Sequence, residues 1–171
     1  MANKIDKNID VTIASNLRMS YSFDNKRGIA FDLDEYGDEE VLTFEELKKI
    51  STSKYKNVLR NMFLVITDVD SDEFTVDDVV KQLKLDKYYD TAKKVLGTDE
   101  VQLDSFEEFV TECSNDELAK AIKHDNLSEV LTETAVALWK EKEIDETKLK
   151  VVLTPVGIDN LYEFISDISS L

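Results

Sequence analysis

The sequence predicts an α+β protein, a small N-terminal antiparallel β-sheet with one or two helices followed by a C-terminal helical bundle, and three observations carry that prediction. Apolar residues keep an odd-numbered alternation along Val11, Ile13, Leu17, Met19, Tyr21 and Phe23, broken only at Ser15, and resume it along Ile29, Phe31 and Leu33; this is the period of a half-buried strand. Phe63-Leu64-Val65-Ile66 is an unbroken apolar run of strand length, as expected of a strand covered on both faces. From Leu85 onward apolar residues recur at three and four, the spacing of amphipathic helices.

Residues 1–10 are polar and are expected to be loose. The strand Val11–Phe23 then meets a turn, Asp24-Asn25-Lys26-Arg27-Gly28, and Ile29–Leu33 returns as its antiparallel partner. An isolated hairpin is not stable, so a cover is expected from the next helix and from the strand Phe63–Thr67. Glu40-Val41-Leu42 adds a short strand. Thr43-Phe44-Glu45-Glu46 reads as a capping box that opens a helix through Leu47 and Ile50. Ser51–Asn61 fits a short helix or an irregular approach to the apolar run. Thr75-Val76-Asp77-Asp78 is a second capping box, with aspartate in the usual glutamate place.

Tyr88, Tyr89, Ala92, Val95 and Leu96 form the next helix, which Gly97 can end in a left-handed cap. Asp104-Ser105-Phe106-Glu107 and Ser114-Asn115-Asp116-Glu117 open two more. Leu127–Lys142 has the cleanest helical stripe, Asp145 caps a helix that stops near Pro155, and Ile158–Ile168 suggests a last one. Short connections make these helices antiparallel neighbours. The expected division is an α+β region over 1–86 and a helical bundle over 87–171, unless both share one continuous core.

The chain has 171 residues, with 21 bases against 37 acids for a net charge of −16. The imbalance is uneven: residues 1–60 hold 10 bases and 11 acids, residues 61–171 hold 11 and 26. Such a field disfavours direct binding to nucleic acid or to an anionic membrane, and favours basic partners, cations or solubility. One cysteine excludes an intrachain disulfide, and one histidine leaves zinc without ligands. Nothing resembles a signal peptide or a membrane span, so a soluble protein made in a cytoplasm is expected.

Candidate sites are few. Asp68, Asp70 and Asp72 have the one-three-five spacing of a calcium loop, but its sixth position is Glu73 rather than glycine and its twelfth is Val79. A solvated turn that caps the following helix is the preferred reading of them. Cys113 lies on the apolar side of its helix, as a structural thiol does, and His124 stands near a helix end. Gly28, Gly37, Gly97 and Gly157 are isolated, so no phosphate-cradling loop exists. No cofactor is implied and no catalytic residue is nominated. Trp139, Tyr88 and Tyr89 are candidate interface residues; adjacent helical positions point about 100° apart, so one tyrosine of the pair should reach a surface.

Two stretches carry a resemblance. VTIASNLRMSYSFD with DEYGDEEVLTFEELKKI, and TETAVALWKEKEIDETKLKVVLTPVGIDNLYEF, look like uncharacterised virion-associated proteins of tailed bacteriophages. In the second, a helix ending in charge at Trp139–Glu143, an acidic break at Ile144-Asp145, and the turn Gly157-Ile158-Asp159 follow the pattern. The resemblance implies a non-catalytic structural protein of the virion, a head-tail connector, neck or capsid-associated component. Its partners would be other phage structural proteins in an oligomeric or multi-copy assembly. The alternative is an acidic regulator or nucleic-acid mimic that binds a basic host enzyme. For it the windows Asp32–Glu46 and Asp99–Glu117, each with eight acids and no base, are the candidate surface.

Overall fold

A computed structural model describes residues 3–156 and is α+β. It forms two compact units, one through Leu103 and one from Asp104. The helices that follow the sheet directly therefore belong with it, and the division lies later than residue 86.

The first unit is built on β1 (Asp10–Ser15), which lies between β4 (Glu39–Thr43) and β5 (Leu64–Val69) in an antiparallel sheet. The expected strand Val11–Phe23 is thus two strands. Only its second part, β2 (Tyr21–Asp24), pairs with β3 (Ala30–Leu33) as a hairpin. The break is made by Asn16, whose backbone N–H donates to the Phe63 carbonyl at 2.9 Å and whose side-chain amide donates to the Met62 carbonyl at 3.1 Å. These bonds hold the chain beside the start of β5 instead of letting it run on. The apolar run at Phe63–Ile66 gives a strand in which Leu64, Val65 and Ile66 are fully buried, although it forms an edge of the sheet and β1 the centre. A bulge at Thr67 shifts the pairing parity, so Ile66 faces Ile13 and Val69 faces Val11, both pairs in the core.

Helix α1 (Phe44–Thr52) starts at the predicted Thr43 capping box, where Thr43 and Glu46 satisfy each other's backbone amides. A single turn, α2 (Asn57–Arg60), leads into β5. α3 (Val76–Gln82) starts at the Thr75 box closed by Asp78, and α4 (Asp86–Leu96) ends at Gly97, whose φ of +68° is the left-handed cap expected. Residues 3–9 are not loose. Ile5 is 2% exposed, its N–H donates to the Gln82 side chain, and the Lys7 and Ile9 carbonyls receive the Glu45 and Phe44 amides. A buried isoleucine in a polar segment has no periodicity to announce it.

The second unit contains α5 (Leu103–Glu112), α6 (Asn115–Ala121), α7 (Ser128–Lys140) and α8 (Glu146–Leu153), followed by a short 3-10 turn. α5 begins at Leu103, the last residue before the division between the units, so Asp104 sits inside the first turn of α5 and not ahead of it. Ser114 with Glu117 and Asp145 cap α6 and α8 as their spacing predicts. α8 packs against α6 and α7. From α8, Lys148 donates to the Val110 and Thr111 carbonyls at 2.8 and 3.0 Å, which supplies partners to the end of α5. Phe106, Val110, Leu118, Leu131 and Leu149 are fully buried here. The predicted helix Ile158–Ile168 and the Gly157-Ile158-Asp159 turn lie outside the described residues.

Candidate functional site

The two tyrosines of α4 part as adjacent helical positions must. Tyr89 is 2% exposed, and its hydroxyl accepts the Ile66 N–H at 3.0 Å. It is therefore a core residue that occupies a backbone donor of edge strand β5, not an interface residue. Burial pushes its phenol above the ordinary value. Tyr88 is half-buried, with the Arg60 guanidinium 5.3 Å and the Lys87 ammonium 4.8 Å from its ring centre. Trp139 is half-buried on α7 beside the buried Leu138, so part of its ring stays open to contact.

Asp68, expected in a turn, belongs to β5 and pairs with Thr12. The backbone N–H of Asp70 donates to the Asp10 carbonyl, and all three aspartates of the one-three-five set are exposed. Among the described residues, no three carboxylate, thiol or imidazole groups converge to hold a metal ion. Asp68 instead lines a cleft of about 370 Å³ with Asp77 and Lys93, whose side chains pair at 2.8 Å. Cys113 is buried, and burial pushes its thiol up, which favours the protonated form.

A different constellation is organised by the β2–β3 hairpin. Its closing turn is held by side chains: Asp24 accepts from the Lys26 amide and ammonium, and Asn25 accepts from the Arg27 and Ile29 amides at 2.8 and 3.1 Å. Lys26 takes a φ of +56°, a left-handed conformation that favours glycine or asparagine. The turn presents Lys26 and Arg27 to a groove of about 720 Å³, completed by Lys49, Thr52, Ser53, Lys54 and Tyr55 from the end of α1 and beyond. A helix C-terminus carries partial negative charge. Here, however, Thr52 donates its hydroxyl to the Lys48 carbonyl and Ser53 to the Ile50 carbonyl, both at 2.8 Å. With those carbonyls engaged, the charges facing outward are cationic. Arg27 has no side-chain hydrogen bond or ion pair among the described residues, while Lys26 pairs with Asp24 and Lys49 with Glu45.

The other end of the same hairpin has the opposite sign. β3 leads into a turn in which the Asp38 carboxylate accepts the Asp34 and Glu35 amides at 2.8 and 3.1 Å. Gly37, at φ +89°, donates to the Ser15 carbonyl, and Ser15 donates to the Asp38 carbonyl, so the turn is fastened to β1. The carboxylates of Asp34, Glu35 and Glu39 are left exposed. Met19 lies two residues before Tyr21, which pairs with Leu33 at this end of the hairpin, and Val41 follows Glu39 and Glu40 in β4; at 62% and 54% exposed they are the large apolar side chains left open among the described residues. Arg18 stacks on Tyr36 in this region, its guanidinium 3.6 Å from the ring centre.

In the Asp32–Glu46 window, three of the eight acids are engaged within the fold. Asp38 is used in the turn, Glu46 in the Thr43 cap and Glu45 opposite Lys49. The Asp99–Glu117 window is divided between the two units. Sequence reasoning named none of the groove's bases as functional, because they are brought together from positions 26–27 and 49–54 by the fold. The available signal was that residues 1–60 hold almost as many bases as acids in a strongly acidic chain.

Among the described residues, no helix is long and apolar enough to cross a membrane. Compared with known proteins, the chain matches no family model, no curated protein and no solved structure.

Proposed function

We propose that this protein acts by contact with other proteins, as a non-catalytic structural component of a tailed-phage particle in the connector, neck or capsid-associated class. It would be made in the host cytoplasm and held in the virion in several copies. The observation that supports this reading is the polarity of the β2–β3 hairpin, with clustered bases and a half-exposed tyrosine at one end and exposed acids beside exposed apolar residues at the other. Protein interfaces combine apolar and aromatic contact with charges that set register and partner choice. The phage resemblance of residues 11–24 with 34–50 and of residues 132–164 supplies the setting.

The test is quantitative mass spectrometry of particles purified through a density gradient. The expected result is a fixed copy number per particle that survives repeated banding. A chain found only in the infected-cell lysate, bound to a basic host enzyme, would overturn the reading and favour the acidic regulator instead.

A further inference from the structure

From the two ends of the β2–β3 hairpin we infer that copies of this chain associate head to tail, the acidic turn Asp34–Glu39 of one copy seating in the basic groove of the next. The inference deepens the assembly reading above and rests on it for its biological setting, though not for its geometry. β3 spans four residues, so the two turns stand about 13 Å apart at the antiparallel rise. That exceeds the Debye length of about 8 Å at physiological ionic strength, so the two charge sets do not neutralise each other within one molecule. Their signs are complementary between molecules. Each end also has something apolar to offer, Met19 and Val41 near the acids and the Tyr55 ring in the groove. Methionine against an aromatic ring is a favourable contact.

The turn and the groove are different surfaces, so the contact is heterologous when each copy's turn enters the groove of a different neighbour, and reciprocal when two copies exchange turns across a two-fold axis. A heterologous contact closes into a ring when its rotation permits and otherwise extends into a filament. The charges select turn against groove over contacts between like patches. Groove against groove, or acidic turn against acidic turn, sets like charges together, and edge strand β4 carries Glu39 and Glu40, which oppose pairing with its own copy.

The experiment is a charge swap read by sedimentation velocity. One variant, Arg27→Glu/Lys54→Glu, makes the groove less basic; the other, Asp34→Lys/Glu35→Lys, makes the turn basic. All four positions are exposed, and circular dichroism with thermal unfolding checks that each variant folds. Wild-type chain should self-associate at about 0.1 M salt and lose that association at about 1 M, where the Debye length falls to about 3 Å. Each variant alone should associate at least roughly tenfold more weakly, and an equimolar mixture should recover association because each then offers what the other lacks. A wild-type chain that stays monomeric at about 0.1 M salt overturns the inference, whether or not inorganic phosphate or an oligonucleotide binds the groove. So does a mixture no more associated than its components. Monomeric protein that is nevertheless retained in purified particles sinks the self-contact and leaves the assembly reading intact. Charge-dependent association by a chain absent from particles does the reverse.

Discussion

At the scale of single residues, the most consequential polar group is the Tyr89 hydroxyl. Strand β5 is an edge, and an unpaired edge amide invites pairing with another chain. Tyr89 removes one such donor by accepting the Ile66 N–H within the protein. Tyr89→Phe keeps the ring and deletes the acceptor, leaving a buried donor without a partner. The expected cost is about 1–3 kcal/mol, measured by urea unfolding, together with faster hydrogen exchange at the Ile66 amide. Unchanged exchange at Ile66 would mean that the hydroxyl does not protect that edge. The sequence could show that Tyr88 and Tyr89 must diverge, but not which would go inward. That depends on where α4 meets β5, a contact between residues far apart in the chain.

At the scale of elements, the helix starts are the parts most open to reading because a capping box is complete within four residues. Thr43, Thr75, Ser114 and Asp145 each occupy the cap their spacing predicts. Thr43→Ala should cost about 1 kcal/mol, visible as a lower urea midpoint at unchanged slope. Acid should test the others. Backbone amides of Thr75 and Ser114 hold Asp78 and Glu117 below their ordinary values of 3.8 and 4.5, and the Thr147 hydroxyl followed by the Lys148 amide does the same for Asp145. A carboxyl depressed in the folded state contributes stability that is present above its ordinary value and is lost as pH falls through its folded value. Cap stability should therefore weaken below about pH 4.5. Glu117→Gln should flatten its share of that acid limb while changing little near neutrality in slope against pH. An acid limb identical to wild type would remove Glu117 from the account. Strand partners were less legible for a related reason. Alternation along Val11–Phe23 records which residues face a core, but not that Asn16 would be captured by the Met62 and Phe63 carbonyls and split the run into two strands. The basic groove was hidden in the same way, since its bases are neighbours only after the hairpin turn and the end of α1 come together.

At the scale of the whole molecule, salt should act on fold and association with opposite signs. A net charge of −16, carried almost wholly by residues 61–171, is self-repulsion that the folded state concentrates in a small volume. Screening should relieve it, so the chain should unfold at a higher temperature as sodium chloride rises from about 0.01 M to about 0.5 M, with roughly 2–4 °C for each kcal/mol gained. Pairs such as Lys49–Glu45 are exposed and their loss by screening is small in comparison. Head-to-tail contact draws instead on attraction between unlike ends of different molecules, and the same salt should weaken it. The two responses are separable in one preparation, by thermal unfolding at low protein concentration and by sedimentation at high concentration. If salt lowered the unfolding temperature, local ion pairs and not overall repulsion would govern the electrostatic stability of this chain. If salt strengthened association, apolar contact through Met19 and Val41 would outweigh the charges at the two ends of the hairpin.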